Sequence, residues 1–191
     1  MKHLPNALTV FRIVLTPFVL VGLWRGGLWG YAVAATCFVV AAISDYWDGH
    51  FARLHATGTR MGQFLDPLAD KILVLGTFAV LATVRPDVSP WWAVVAIAAR
   101  DIGVTLLRSY TEARGRSLRT LPMAKTKTAL QLTFLISVLV FLTFTQVPGP
   151  LAVASRWMLA SPILPVLLVA LVVVTVGTGM LYFVKPEYNR G

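Results

Sequence analysis

The chain has 191 residues, of which 57% are hydrophobic and 13% are charged, and its mean hydropathy is +0.74. Soluble domains hold about 45–50% apolar residues, so this composition excludes an ordinary soluble domain and predicts an integral membrane protein. The formal net charge of +9 is typical of basic residues that set membrane topology and attract anionic lipid, and nucleic acid is not expected as a partner.

Six apolar stretches follow one another along the chain, and each is near the roughly 20 residues that cross the hydrocarbon core of a bilayer. They cover residues 8–24, 30–50, 64–84, 90–111, 126–146 and 160–184. Short polar or turn-forming segments separate them, and no internal repeat is visible. The sequence predicts an all-α fold with one domain over residues 1–191. It is an integral membrane bundle of six transmembrane helices with a polar active-site cavity that faces the cytoplasm.

The basic residues predict the orientation of this bundle. The segments that join helices 1–2, 3–4 and 5–6 hold one arginine each, whereas the segments that join helices 2–3 and 4–5 are rich in basic residues: Arg53, Arg60, Arg114, Arg116, Arg119 and Lys125. Cytoplasmic loops carry the excess of Lys and Arg. We therefore expect a multi-pass protein of the inner, cytoplasmic membrane, with both termini and the active site on the cytoplasmic side.

Four of the eight acidic residues lie at the end of the second apolar stretch and the start of the third: Asp45, Asp48, Asp66 and Asp70. The first two are three residues apart and the last two are four apart, so each pair shares one helical face. Four carboxylates this close repel one another unless a cation lies between them. Hard divalent cations bind such oxygen ligands and often keep substrate phosphates as the remaining ones. The pattern predicts a metal site that binds a phosphate-containing substrate.

The alternative is a buried ion network in which Arg53, Arg60 and Lys71 neutralise the carboxylates. Three cations do not cover four anions at this depth, so the metal interpretation is favoured. Gly49 lies on the face of the first pair and leaves room for a ligand to approach the backbone. Arg53 is placed to neutralise phosphate oxygens.

Residues 45–70 read D-x2-D-G-x2-A-R-x8-G-x3-D-x3-D, which resembles the signature of the CDP-alcohol phosphatidyltransferase family at all eight fixed positions. Residues 5–12 are also similar to the entry helix of that family. The resemblance implies that an acceptor hydroxyl attacks the lipid-bearing phosphate of CDP-diacylglycerol and that CMP leaves. It also implies a homodimer in contact with membrane lipids.

The family resemblance implies a role for individual residues. Two divalent ions, Mg2+ or Mn2+, would be held by Asp45, Asp48, Asp66 and Asp70. Asp70 would also be the general base that takes the acceptor proton. The CDP-lipid would contact Gly49 and Arg53, with Thr59, Asn6 and Thr9 as further candidates. For Asn6 and Thr9 the alternative is that they cap a helix N-terminus.

The second half of the chain bears on the acceptor. Asp101, Thr105 and Arg108 follow one another along one face of the fourth helix, which we expect to face the cavity. Residues 100–108 and 124–131 resemble the second-half pattern of bacterial phosphatidylglycerophosphate synthases, although Asp101 and Ala124 stand where Glu and Gly are usual. This implies sn-glycerol 3-phosphate as the acceptor. Its phosphate would be bound by Arg108, Lys125 and Lys127.

Other functions remain open from the sequence. A cardiolipin synthase of the same family would use phosphatidylglycerol as the acceptor, and another CDP-alcohol phosphotransferase would use a different alcohol. A membrane prenyltransferase also holds a diphosphate with aspartates and magnesium, but its usual pattern lacks the D-G-x2-A-R segment. A transporter usually carries a structural repeat, whereas residues 90–184 contain no counterpart of the four aspartates.

Overall fold

The computed structural model describes residues 4–55, 60–114 and 122–184. The backbone alone is described at 4–8, 45–55, 60–68, 108, 112–113, 122–125 and 181–184. These ranges form α1 (Leu4–Arg25), α2 (Gly27–His55), α3 (Arg60–Val84), α4 (Trp91–Ala113), α5 (Pro122–Phe144), α6 (Pro150–Ala160) and α7 (Ile163–Val184). The all-helical prediction is confirmed for the described residues, which contain no strand.

Six of these helices, α1 to α5 and α7, coincide with the six apolar stretches to within about five residues at each end. Within the described part of the chain, three segments are long and apolar enough to cross a membrane: Gly27–Ser44, Thr126–Phe144 and Ile163–Met180. These segments indicate a membrane protein. The count of six spans remains a prediction, because three of the predicted spans are not among these segments.

The short helix α6 was not predicted. It has 11 residues, about 16 Å of helix, which is too short to cross a bilayer. Its start has a local cause, because Pro150 suits a first helical position and Gly149 before it has a φ of 131°. Its end lies at Ser161, whose N–H donates to the Trp157 carbonyl at 2.9 Å, and Pro162 cannot continue the helix.

The helices pack around an apolar core. α1 lies against α2 and α3, α2 packs on α5, and α4 contacts α3 and α7, while α5 also contacts α6 and α7. At the centre, the rings of Phe78 and Phe134 stack with centroids 6.0 Å apart. Many apolar side chains point outward instead, among them Trp29, Val153 and Val173. Apolar surface on this scale is expected of a face that meets lipid.

Glycines allow α1 and α2 to approach each other closely. A Cβ atom built on Gly22 would lie 2.7 Å from the Gly30 carbonyl oxygen, and one built on Gly30 would lie 2.6 Å from the Gly22 carbonyl oxygen. The turn between the two helices is formed by Gly26 and Gly27, which have φ angles of 66° and 70°. Small residues of this kind let helix backbones pack tightly in membranes. The hairpin thereby fixes α2, which carries the first half of the aspartate motif.

Candidate active site

The aspartate motif lies on two helices that are consecutive in the chain. Asp45, Asp48, Gly49 and Arg53 lie in α2, and Asp66 and Asp70 lie in α3. Of these six side chains, only that of Asp70 is among those described, and it is half-buried. The side chains of the other five lie outside the described part. No group of three or more possible metal ligands occurs among the described side chains, so the four-aspartate metal site remains a prediction.

Three charged side chains from α4 and α5 meet in the interior of the bundle. Lys127 Nζ donates to Asp101 Oδ1 at 2.5 Å, and Arg100 donates to the same oxygen from a terminal guanidinium nitrogen at 3.1 Å. The side chains of Arg100, Asp101 and Lys127 are only 9%, 7% and 7% exposed. Buried ions are expensive unless they are paired. This arrangement satisfies Asp101 with two cations and gives Lys127 a carboxylate partner.

Arg100 is anchored on the last helix. Its Nε donates to the Thr175 carbonyl oxygen at 3.1 Å, and its other terminal nitrogen donates to Thr178 Oγ1 at 3.4 Å. Gly179 makes this position possible, since a Cβ atom there would lie 2.5 Å from Arg100 Cγ. α7 contains no charged residue, yet it supplies two acceptors to the cluster.

A second polar contact joins α3 to α4 beside Asp70. Lys71 Nζ donates to Thr105 Oγ1, and Thr105 Oγ1 donates to the Asp101 carbonyl oxygen at 2.7 Å. Lys127 also interacts electrostatically with Asp70 as well as with Asp101. The structure therefore brings Asp70, the predicted base, into the neighbourhood of Lys127, a predicted acceptor ligand.

α1 presents a buried polar face to its neighbours. Thr9, Arg12 and Thr16 are all almost fully buried, and Thr16 Oγ1 donates to the Arg12 carbonyl oxygen at 2.9 Å. Thr9 was a predicted CDP-lipid contact, whereas the sequence analysis singled out no role for Arg12. The sequence could have drawn attention to Arg12, because α1 contains no acidic residue. A counter-charge for this arginine has to come from outside its own helix.

Gln131 is another residue to which the sequence analysis gave no role. It lies one turn after Lys127 on α5 and is 1% exposed. Its Nε2 has no hydrogen-bond partner among the described residues. A buried donor of this kind calls for a partner, which a ligand or an ordered water would provide.

The remaining predicted ligands are Asn6, Thr59, Arg108 and Lys125. Asn6, Arg108 and Lys125 lie in α1, α4 and α5, but their side chains are outside the described part, and Thr59 lies between the described ranges altogether. Of the residues predicted to bind the acceptor, Lys127 alone has a described side chain. Of the predicted CDP-lipid contacts, Thr9 alone does.

The chain is similar in sequence to known phosphatidyltransferases. Residues 2–176 match the family model of the CDP-alcohol phosphatidyltransferases. A CDP-diacylglycerol–glycerol-3-phosphate 3-phosphatidyltransferase of Bacillus subtilis (strain 168) is 32% identical over 170 residues, which cover 82% of this chain and 87% of the relative. A protein of the same name from Salmonella choleraesuis (strain SC-B67) is 36% identical over 135 residues, or 68% of this chain and 72% of the relative.

A third relative spans almost the whole chain. A probable phosphatidylglycerophosphate synthase of Mycobacterium tuberculosis (strain H37Rv) is 34% identical over 195 residues, which cover 99% of this chain and 84% of the relative. The aspartate motif on α2 and α3 lies within the region matched by the family model. On the motif, the helical fold and these matches, the chain belongs to the CDP-alcohol phosphatidyltransferase family.

Proposed function

We propose that this protein transfers the phosphatidyl group of CDP-diacylglycerol to sn-glycerol 3-phosphate and so forms phosphatidylglycerophosphate and CMP, a step of phospholipid biosynthesis. The observation that carries the proposal is the match to relatives with this activity in their names, at 32–36% identity. The described residues add support, because a buried lysine near Asp70 suits an acceptor that carries a phosphate.

The CDP-lipid would bind between α2 and α3. Carboxylate oxygens suit hard divalent ions, so the donor set of Asp45, Asp48, Asp66 and Asp70 fits two Mg2+ or Mn2+ ions. When bound, these ions would neutralise the charge of the pyrophosphate and of the departing CMP. Gly49 and Arg53 would contact the cytidine diphosphate portion, with Thr9, Asn6 and Thr59 as further contacts.

Asp70 would act as the general base. Its carboxylate takes the proton of the acceptor hydroxyl while the hydroxyl oxygen forms a bond to the lipid-bearing phosphorus. The bond from that phosphorus to the CMP oxygen breaks, and CMP leaves with the electron pair. Asp70 suits this role because it is half-buried and interacts electrostatically with Lys127, the cation that we assign to the acceptor.

The acceptor phosphate would be held by Lys127, with Arg108 and Lys125 as additional ligands. Lys127 is fixed within the bundle by Asp101, so it presents its charge from a defined position. Gln131 Nε2, which has no hydrogen-bond partner among the described residues, lies one turn away on the same helix and would donate to a glycerol hydroxyl. Holding the phosphate at Lys127 keeps the acceptor hydroxyl near Asp70, which lowers the entropic barrier to attack.

The membrane arrangement is part of the proposal. α1 to α5 and α7 would form six spans of a single-domain protein in the cytoplasmic membrane, with both termini and the site on the cytoplasmic side, and two copies would form a homodimer. Support comes from the exposed apolar side chains and from the basic residues concentrated in the loops after α2 and α4.

The experiment that tests the proposed function is CMP release by the purified protein in detergent micelles, with CDP-diacylglycerol and Mg2+. Glycerol 3-phosphate, phosphatidylglycerol, inositol phosphate and serine are compared as acceptors. Release with glycerol 3-phosphate alone supports the proposal, and release with phosphatidylglycerol alone makes the protein a cardiolipin synthase. Folded protein that releases CMP with none of them refutes the proposal.

The metal site is tested separately from the acceptor. Chelation with EDTA is expected to abolish CMP release, and added Mg2+ or Mn2+ to restore it. Bound Mn2+ is measured by electron paramagnetic resonance in the wild type and in Asp48→Asn, with Asp87→Asn as the matched control outside the motif. Unchanged Mn2+ binding in Asp48→Asn, or activity that survives chelation, would refute the predicted ligand set.

A further inference from the structure

We propose that Asp101 is a positioning residue for the acceptor site, which it serves by holding Lys127, and that Arg100 couples this pair to α7. The inference rests on the proposed function, in which Lys127 binds the acceptor phosphate. It extends that function to a carboxylate that touches no substrate. It also gives the apolar last helix a part in acceptor binding.

The first step is the contact between Asp101 and Lys127. The lysine side chain is long and flexible. Without a partner inside the bundle, its ammonium group would turn outward to reach water. Asp101 prevents this with a charge-assisted hydrogen bond of 2.5 Å between two side chains that are each 7% exposed. Lys127 is thus held inside the bundle before an acceptor arrives, which reduces the ordering cost of binding.

The second step is the position of Asp101 itself. Arg100 donates to the same Oδ1 atom that Lys127 uses. The guanidinium is fixed in turn by the Thr175 carbonyl and the Thr178 hydroxyl. A planar guanidinium with acceptors on two helices is a rigid donor. Displacing Arg100 is therefore expected to move Asp101 and, through it, Lys127.

The first test is a double-mutant cycle of Asp101→Asn and Lys127→Ala in the CMP-release assay. Asp101→Asn is expected to raise the KM for glycerol 3-phosphate about 10- to 100-fold, as expected for loss of a buried charge-assisted hydrogen bond, and to leave the KM for CDP-diacylglycerol unchanged. Because Asp101 acts through Lys127, the double variant should bind acceptor no worse than Lys127→Ala alone. Asp101→Glu, which retains the charge, should recover most of the affinity.

A purely structural role for Asp101 makes a different prediction. It would lower the amount of folded enzyme, so the apparent kcat would fall while both KM values stayed the same. That result overturns the inference, and so does a double variant whose KM rises by the product of the two single effects. A wild-type protein that releases no CMP with glycerol 3-phosphate refutes the proposed function itself, and the inference falls with it.

The second test works if Asp101→Asn does not fold, and it uses two glycines of α7. Gly179→Ala would place a Cβ atom 2.5 Å from Arg100 Cγ and 3.1 Å from its Nε, whereas a Cβ atom on Gly177 would meet no atom of the described residues within 4 Å. Gly179→Ala is expected to raise the KM for glycerol 3-phosphate about tenfold or more, since a small misplacement of a site residue has effects of this size. Gly177→Ala should match the wild type. Equal KM values for the two alanine variants would overturn the coupling to α7.

Discussion

Replacing Gly22 by alanine is expected to push α1 and α2 apart. The new Cβ atom would lie 2.7 Å from the Gly30 carbonyl oxygen and 3.2 Å from the Ala34 nitrogen. Both are backbone atoms, so no side-chain rotation relieves the contact. The helices would have to separate by roughly 0.7 Å to restore an ordinary van der Waals distance.

The size of the effect follows from two opposing terms. Overpacking of a tight interior site costs about 1–3 kcal/mol, whereas alanine gains about 1 kcal/mol over glycine from helix propensity. Gly177→Ala is the matched control, because it makes the same chemical change at a position where the Cβ atom meets nothing within 4 Å in the described part of the chain. The propensity gain cancels between the two variants. Their difference is therefore the strain alone, about 1–3 kcal/mol.

The assay is thermal unfolding in detergent micelles, followed by circular dichroism. For a chain of this size, 1 kcal/mol shifts the Tm by about 2–4 °C, so Gly22→Ala should melt about 2–12 °C below Gly177→Ala. The variant should also lose CMP release at a lower temperature, since α2 carries the first half of the motif. A Tm equal to or above that of Gly177→Ala would refute the close packing of the two helices.

Three further predictions concern single side chains. Asp70→Asn should abolish CMP release and retain most CDP-diacylglycerol binding, measured with radiolabelled lipid; Asp87→Asn is the control, and turnover in Asp70→Asn would exclude a base at this position. Arg85 donates to the Asp87 carboxylate, and this hydrogen bond lowers the pKa of Asp87. The stability that the ion pair contributes is therefore complete above the unfolded-state pKa of Asp87, about 3.9. It is lost as the pH falls through the lower folded-state pKa. The Tm gap between wild type and Asp87→Asn should be small, because Asp87 is 55% exposed, and should close in acid; a gap that widens there contradicts the ion pair. Phe78→Ala should cost about 3–5 kcal/mol because Phe78 is fully buried against Phe134, and a loss below 1 kcal/mol in chemical denaturation would contradict that packing.

The helices were predictable because hydropathy and turn residues act locally. The continuous α2 over residues 27–55 was anticipated as far as residue 50, although three charged residues interrupt its second half, because the motif spacing is helical. α6 was not predicted, because its local sequence lacks the hydropathy pattern of a span. Its apolar residues do not form a span-length run, and its start depends on Gly149 and Pro150, which lie in one of the turn-forming segments between the predicted spans.

Part of the candidate site was likewise predictable from local sequence, and part of it depends on contacts between helices. The aspartate motif and Lys127 were found because fixed spacing and charge are visible in the sequence. The role of Asp101 as the partner of Lys127 was not found, since the two residues are 26 positions apart and on different helices. Only the tertiary structure, which brings these side chains of α4 and α5 together inside the bundle, decides which cation faces which carboxylate.

The anchoring of Arg100 is harder still to predict, because hydropathy describes α7 as a plain apolar span. An arginine within an apolar bundle must find acceptors, and the backbone carbonyls of a helix are already used within it. Gly179 changes this locally: without a Cβ atom it leaves space for the Arg100 stem beside the Thr175 carbonyl, which then accepts a further hydrogen bond. A helix with no charged residue can therefore still fix the position of a charged cluster. In the sequence of α7, the features that indicate this role are one glycine and two threonines, and not a stretch of polar residues.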